Sequence, residues 1–152
     1  MTVSLWWVRR DLRLSDNQAL AAALAQTKTV VPVFILDPVL LTAPEAGAKR
    51  VAFLMAGLRQ LDQDLRARGS RLIVRRGDPV QELISLMEET GAQTIWAEED
   101  VWPYARRREA RVAQALPLHL TSGLTVHLPT AVVKADGTPY TIFTPFSRAW
   151  KS

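Results

Sequence analysis

The sequence contains no cysteine and only two histidines, His119 and His127, among its 152 residues. Without cysteine the chain forms no disulfide, no thiolate metal site and no cysteine nucleophile. Two histidines are too few for a zinc centre of the ordinary histidine-based type. Thiol chemistry and the common zinc sites are therefore excluded as functions of this chain.

Long apolar runs are also missing. No segment approaches the run of about 20 apolar residues that a membrane-spanning helix needs, and the N-terminus does not resemble a signal peptide. We therefore expect a cytoplasmic protein without a membrane partner. The hydrophobic content of 48% and the charged content of 22% are typical of one globular domain.

The glycine-rich loops that hold nucleotide phosphates are absent, since neither G-x-G-x-x-G nor G-x-x-x-x-G-K-[ST] occurs. In their place, the first predicted strand-to-helix turn is charged and contains the run 9–13, RRDLR. This turn could contact phosphates or form a salt-linked surface that docks onto another domain. A ligand of this chain must then be held by charged side chains, helix N-termini and aromatic walls.

Short apolar segments alternate with amphipathic segments along most of the chain. Residues 37–48 are predicted to form a loop. Strands are predicted at 3–8, 29–36, 71–76, 94–97 and 118–128. Helices are predicted at 16–25, at 49–67, from Pro79 to near Gly91 and from Pro103 to just before Pro117, with Asp16 and Asp78 at or near N-caps.

This alternation favours an α/β fold, a Rossmann-like three-layer sandwich around a five-stranded parallel sheet in the strand order 3-2-1-4-5. Pro32 lies inside the second strand and removes one hydrogen-bond donor there. In such sheets the ligand lies beyond the carboxyl ends of the strands, where the strand order reverses. The segments expected to carry a site are 9–17, 35–50, 77–79 and 98–104.

The segment 98–104, EEDVWPY, holds the strongest candidate site, because it places three carboxylates and two aromatic rings at the end of a predicted strand. A carboxylate such as Asp100 accepts a hydrogen bond from a ring N–H of a flavin-like heterocycle, and Trp102 and Tyr104 could wall the ring. In the alternative interpretation, Asp100 caps the helix that begins at Pro103 and the glutamates are solvated.

Basic residues offer further candidates. Arg50 opens the long helix, where a cation is unfavourable against the helix dipole, so it indicates either an anionic or polar ligand or a solvated arginine. The four arginines between 106 and 111 are more typical of a solvated helix face than of a DNA site. The net charge of +4 is compatible with nucleic-acid binding, but scattered solvated arginines account for it as well.

The segment 140–150, YTIFTPFSRAW, is aromatic and follows the last predicted strand. Aromatic rings grouped in this way need a surface that covers them. They either fold back on this domain or contact a continuation of the chain.

The run 6–20, WWVRRDLRLSDNQAL, resembles the opening of DNA photolyases and cryptochromes. The resemblance implies that residues 1–130 form the N-terminal α/β antenna domain of this family. It also implies that residues 131–152 begin a connector to a helical domain, outside this chain, that carries the catalytic FAD. The resemblance continues, in order and with the expected spacing, through 34–38, 49–54, 71–79 and 140–150.

The same resemblance implies an antenna chromophore, which we expect to be of the deazaflavin or FMN type. Folate is less expected, because Tyr104 and Ala105 stand where folate-binding members carry an Asn-Glu pair. Trp102 also stands where an acidic residue often occurs. The residues expected to hold the chromophore are Phe34, Ile35, Arg50, Asp100 and Trp102.

The function implied by the resemblance is light harvesting. The domain would absorb light and pass the excitation to FAD in the helical domain of a photolyase that repairs pyrimidine dimers. The expected partners are thus that helical domain and damaged DNA, and no catalytic residue is expected in this part of the protein. The alternatives are a cryptochrome-type photoreceptor domain, a nucleotide- or flavin-binding module without repair activity, and a docking domain without an antenna.

Overall fold

The computed structural model describes residues 2–43, 46–127 and 130–152. Neighbouring strands all pair in parallel, in the order β3-β2-β1-β4-β5, which confirms the predicted fold class and strand order. The strands are β1 (Val3–Val8), β2 (Thr29–Leu36), β3 (Ile73–Arg76), β4 (Thr94–Glu98) and β5 (Leu118–Thr121). The helices are α1 (Gln18–Gln26), α2 (Pro38–Leu41), α3 (Ala48–Arg66), α4 (Pro79–Thr90), α5 (Pro103–Ala115) and α6 (Phe143–Lys151).

The core lies on both faces of the sheet, because successive side chains of a strand point to opposite faces. On one face, Leu5 and Trp7 of β1 pack in a cluster that includes Val112 of α5. On the other face, Trp6 packs in a cluster that includes Leu61 of α3. Helices therefore cover both sides of the sheet and give the three layers that the sequence predicts.

The helix ends follow local capping rules. Asn17, rather than Asp16, is the N-cap of α1, and its side chain accepts a hydrogen bond from a backbone N–H of the first turn at 2.9 Å. Helix α1 therefore begins at residue 18 instead of the predicted 16. The predicted N-cap at Asp78 is confirmed, and so is the helix end at Gly91, whose φ of 68° is one that glycine adopts without strain.

The segment 37–48 is not the continuous loop that the sequence predicts. Asp37 Oδ1 accepts a hydrogen bond from the backbone N–H of Val39 at 3.0 Å, and Pro38 occupies the first helical position, so α2 forms directly after β2. A helix of 4 residues is too short to show helical periodicity, which is why the pattern missed it. This short helix fixes Asp37 and Leu40 at the end of the strand.

Two strands are shorter than predicted, and one is continuous despite a proline. Strand β3 begins at Ile73 rather than at 71, since the backbone N–H of Leu72 donates to Asp62 Oδ1 of α3 at 2.8 Å. Strand β5 ends at Thr121, because its pairing with β4 stops there; the predicted strand ran on to 128, a position that lies outside the described residues. Strand β2 runs unbroken through Pro32, so the missing backbone donor does not end it.

Candidate functional site

A cleft of about 330 Å³ opens at the carboxyl ends of β1 and β2, beside the segment that leads from β4 into α5. Its wall includes Trp7, Phe34, Ile35 and Leu40 as apolar surface, and the carboxylate of Asp100. Small-molecule sites in proteins begin at about 300 Å³ and are mostly apolar with a few polar groups. The cleft has that size and composition, and it lies where parallel sheets bind ligands.

The structure brings together four of the five residues that the sequence assigns to a chromophore. Phe34, Ile35, Asp100 and Trp102 all line this cleft. Arg50 does not line it, but lies exposed in the first turn of α3. The role of Arg50 therefore stays a prediction.

Asp100 is held in place by hydrogen bonds. Its Oδ1 accepts from the backbone N–H of Trp102 at 3.1 Å and lies 3.3 Å from Arg10 Nη1, while its own N–H donates to Glu109 Oε1 at 3.0 Å. Helix α5 has Trp102 at its N-cap without a side-chain hydrogen bond, so the alternative in which Asp100 caps this helix is wrong. Asp100 is instead a buried and ordered carboxylate, 4% exposed, in the wall of the cleft.

A buried ion pair supports the same wall. Arg9 Nη1 donates to Glu109 Oε1, and the two side chains are only 5% and 7% exposed. Burial lowers the pKa of Arg9 from its usual range, although the charge of Glu109 opposes that shift. The second guanidinium nitrogen of Arg9, Nη2, is buried without a hydrogen-bond partner among the described residues. The side chain therefore keeps donor capacity for a ligand that carries acceptor atoms.

Asp37, at the start of α2, joins Tyr104 and Arg108 of α5. The Tyr104 hydroxyl donates to Asp37 Oδ2 at 2.6 Å, and Arg108 Nη1 lies 3.4 Å from the same oxygen. Burial, together with the hydrogen bond to Asp37, raises the pKa of Tyr104 to about 12, so the phenol is protonated at neutral pH. Arg108 Nε is buried and has no hydrogen-bond partner in the described part of the chain. The cleft thus contains a second guanidinium with an unused donor.

Arg108 differs from the other arginines of its stretch. The three others between 106 and 111 are exposed, as predicted for a solvated helix face, but Arg108 is buried. The prediction is wrong for Arg108 because it pairs with Asp37, 71 positions earlier in the chain. The helical spacing in the sequence did indicate that Arg108 is buried, since it shares a helix face with Ala105 and Val112, which are both buried.

Three aromatic rings of the cleft have guanidinium groups over them. Two of the contacts are local in the chain, since Arg9 follows Trp7 by two positions and Arg108 follows Tyr104 by four positions on α5, whereas the other two join distant segments. The contacts place Arg9 4.9 Å and Arg108 5.2 Å from the Trp7 ring centre, Arg10 5.9 Å from the Trp102 ring centre and Arg108 5.7 Å from the Tyr104 ring centre.

Glu98 lies near the cleft but stabilises the start of α1. Its Oε1 accepts from the backbone N–H of Gln18 at 3.1 Å. Burial, reinforced by the charge of Asp11, raises the pKa of Glu98, although the Gln18 N–H opposes the shift. A Cβ atom at Gly123 would collide with the same oxygen, so glycine leaves room for this carboxylate. The expectation of solvated glutamates is therefore wrong for Glu98, while Glu99 is exposed.

The aromatic tail forms α6 and folds back in part. His127 Nε2 lies 3.0 Å from the carbonyl oxygen of Trp150, and the two rings meet edge to face with their centres 5.0 Å apart. Phe143, by contrast, is 78% exposed. Trp150 therefore folds back onto His127, whereas none of the residues that the structure describes covers the ring of Phe143.

The sequence and the fold are similar to those of photolyases. The family model for DNA photolyase matches residues 4–152. The deoxyribodipyrimidine photo-lyase of Synechococcus sp. (strain ATCC 27144) is 36% identical, over 97% of this chain and 32% of the relative. The crystal structure of a bacterial class III photolyase from Agrobacterium tumefaciens has a TM-score of 0.87 at 31% identity, over 99% of this chain and 32% of that one.

A second solved structure is also similar. It is an archaeal photolyase from Sulfolobus tokodaii with two FAD molecules, described as implying a novel light-harvesting cofactor. Its TM-score is 0.79 at 28% identity, over 97% of this chain and 34% of that one. The chain thus spans about a third of the length of each of these three relatives, 32%, 32% and 34% respectively.

Proposed function

Because this chain belongs to the DNA photolyase family, we propose that it is a light-harvesting domain whose cleft holds an antenna chromophore of the flavin or deazaflavin type. The single observation that carries the proposal is the cleft of about 330 Å³ in which aromatic walls meet the ordered carboxylate of Asp100. A planar heterocycle with ring N–H and carbonyl groups suits such a combination.

The polar groups of the cleft match both kinds of atom that a flavin-type ring presents. Asp100 Oδ2 can accept from a ring N–H, because the contacts with Trp102 and Arg10 use Oδ1. The unpartnered N–H groups of Arg9 and Arg108 are donors for ring carbonyl oxygens. The residues present therefore fit such a ring.

When bound, the chromophore would supply light absorption and transfer of the excitation, and no bond would form or break in this domain. Phe34, Ile35 and Leu40 would pack against the ring and exclude water. Asp100 would fix the orientation of the ring through its N–H. Orientation matters, since energy transfer between chromophores depends on the angle between their transition dipoles.

A flavin-type ligand is favoured over folate. Ala105 is buried and offers no polar side chain, and the Tyr104 hydroxyl is already bound to Asp37. In folate-binding members of the family, an Asn-Glu pair stands at these two positions. Tyr104 and Ala105 therefore offer no free polar group in place of that pair. The similar archaeal photolyase with two FAD molecules supports a flavin in an antenna site of this fold.

A fluorescence titration with FMN, hydroxy-deazaflavin and methenyl-folate in parallel tests the proposal. We expect saturable binding of a flavin-type ligand, weakened about tenfold or more by Asp100→Asn, because a hydrogen bond to a charged group contributes about 1.5–3 kcal/mol. The matched control is Glu99→Gln, an exposed neighbour that should leave the affinity unchanged. Arg50→Ala should weaken binding less than Asp100→Asn, because Arg50 does not line the cleft.

Two outcomes would contradict this proposal. Binding of folate alone would show that the chromophore class is wrong. Equal affinity of the wild type and Asp100→Asn for a flavin-type ligand would show that the carboxylate does not hold the ring.

The proposal extends to the partners that the family resemblance implies. The excitation would pass to FAD in a helical domain, and the whole protein would act on pyrimidine dimers in DNA. With such a domain present, light in the absorption band of the antenna should speed dimer repair only when the chromophore is bound. A light response without repair would favour the cryptochrome-type alternative.

The cellular location is part of the same proposal. No helix in the ranges that the structure describes is both long enough and apolar enough to cross a membrane. A cytoplasmic location stays a prediction, which microscopy of the labelled protein would test.

A further inference from the structure

Three aromatic rings that an excited chromophore could oxidise line the proposed cleft: the indoles of Trp7 and Trp102 and the phenol of Tyr104. Within residues 2–43, 46–127 and 130–152, the cation–π contacts all occur at these rings. Such contacts occur about once per 70–80 residues in proteins, so their concentration in one cleft needs a physical reason.

The guanidinium groups act most directly on the two indoles. Arg9 and Arg108 lie 4.9 Å and 5.2 Å from the Trp7 ring centre. Trp7 is only 2% exposed, so little water is present to stabilise a positive charge on its ring. Arg10 lies 5.9 Å from the ring centre of Trp102. A ring beside a fixed cation loses an electron less readily, because the cation repels the positive charge that would form.

Electron loss from a nearby ring is a general hazard for a light-harvesting flavin. Excited flavins are strong one-electron oxidants, and electron transfer from a touching indole competes with energy transfer over a longer distance. In that step the indole gives one π electron to the excited chromophore, so the indole is oxidised and the chromophore is reduced. No bond breaks, and the excitation is lost as heat when the electron returns.

On the basis of the proposed function, we propose that the arginines over the two indoles protect the excited state of the bound chromophore by opposing electron donation from these rings. In this role they are positioning residues, because the effect passes through the indoles; for Arg9 and Arg108 it is separate from the hydrogen bonds that their free N–H groups would give the chromophore. We name Arg9, Arg10 and Arg108 the guard arginines.

The size of the effect follows from charge and distance. A unit charge about 5 Å from a ring changes the equilibrium of its oxidation on the order of 100-fold at an effective dielectric constant of about 20. The carboxylates paired with the arginines cancel part of their field. In addition, only part of a change in the oxidation equilibrium appears in the rate of electron transfer. We therefore expect electron donation from the indole to become on the order of tenfold faster when one arginine loses its charge. The carboxylate partners are Glu109 for Arg9, Asp100 for Arg10 and Asp37 for Arg108.

The sharpest test uses Arg10 and Trp102, because both side chains are largely exposed and their replacement should leave the fold intact. Time-resolved fluorescence of bound FMN is compared in Arg10→Met and in Arg10→Lys, which keeps the charge. We expect Arg10→Met to shorten the lifetime several-fold and Arg10→Lys to retain it. Adding Trp102→Phe to Arg10→Met should restore the lifetime.

A second readout does not depend on fluorescence. Peptide mass spectrometry after illumination should show more oxidised Trp102 in Arg10→Met than in the wild type. The buried ring is tested in the same way with Arg108→Met, alone and with Trp7→Phe, after circular dichroism has shown that the variant folds. Tyr104→Phe is included in that series, because the phenol is a further electron donor near Arg108.

The outcomes separate this inference from the proposed function. If FMN binds to Arg10→Met but neither its lifetime nor the oxidation of Trp102 changes, the guard role is overturned while the antenna proposal stands. If the wild type binds neither FMN nor hydroxy-deazaflavin, the antenna proposal fails. Illumination with free riboflavin then tests only the effect of Arg10 on Trp102: faster Trp102 oxidation in Arg10→Met supports that effect, and equal rates overturn it.

Discussion

Replacement of Glu109 by alanine tests how far the buried ion pair with Arg9 stabilises the domain. Glu109 Oε1 accepts hydrogen bonds from both Arg9 Nη1 and the backbone N–H of Asp100. Its removal leaves a guanidinium and a backbone donor without an acceptor in a place where the Arg9 side chain is only 5% exposed. Removing one partner of a buried pair costs about 3–5 kcal/mol, because the remaining charge is left uncompensated.

We therefore expect Glu109→Ala to lower the free energy of unfolding by about 3–5 kcal/mol, a large share of the 5–15 kcal/mol typical of a domain. The double variant Arg9→Met with Glu109→Leu should recover the part of this loss that comes from the uncompensated charge, although the backbone N–H of Asp100 still lacks its acceptor. The matched control is Glu89→Ala, which breaks the exposed pair with Arg75 and should cost no more than about 1 kcal/mol.

Urea denaturation followed by far-ultraviolet circular dichroism measures all three variants. A change in stability shifts the midpoint of the transition at an unchanged slope. If Glu109→Ala and Glu89→Ala shift the midpoint equally, burial does not decide the cost of losing the acceptor. If the double variant is no more stable than Glu109→Ala, the cost does not come from the uncompensated charge, and the reasoning is refuted.

Two other variants test the surroundings of the cleft. The pKa of Glu98 in the folded protein is raised above the ordinary value of 4.5, so protonated Glu98 stabilises the fold below that pH. This stabilisation is lost as the pH rises through the pKa of the folded state. Glu98→Gln, which cannot ionise, should therefore reduce the loss of stability over that pH interval. Unfolding midpoints measured against pH, with Glu99→Gln as the control, check this. Asn17→Ala should lower the free energy of unfolding by about 1 kcal/mol because the N-cap of α1 is lost. Asp16→Asn, which tolerates the φ of 53° at that position, should change the thermal midpoint far less.

The parts of the fold that the sequence predicts correctly are those with local causes. Residues 32–35 of the apolar run 29–36 are buried on both faces of the sheet, and Asp78 followed by Pro79 marks a helix start without any distant partner. The order of the strands follows from the alternation of strands and helices together with the family resemblance. Strand limits were less accurate, because the end of β5 depends on how far β4 pairs with it.

The site was predicted only in part, because several of its interactions join distant segments. Phe34, Asp100 and Trp102 stand in segments that the topology brings to one edge of the sheet, and they do line the cleft. The burial of Arg108 depends on Asp37, and Asp37 is positioned by a helix too short to be recognised. Arg108 reaches the Trp7 ring from helix α5, so the sequence pattern did not indicate that contact, although Arg9 follows Trp7 by only two positions.

The polar bonds around the cleft also decide when the cleft can exist during folding. Arg9 and Glu109 are 100 positions apart, and Tyr104 and Asp37 are 67 apart, so both bonds require α5 to be docked on the first half of the chain. A partly folded form without docked α5 lacks the part of the cleft wall that α5 supplies. Ligand present at 100 times its dissociation constant would stabilise the complete fold alone, by about 2.7 kcal/mol. Release of a bound ligand on heating would then report the loss of these long-range bonds.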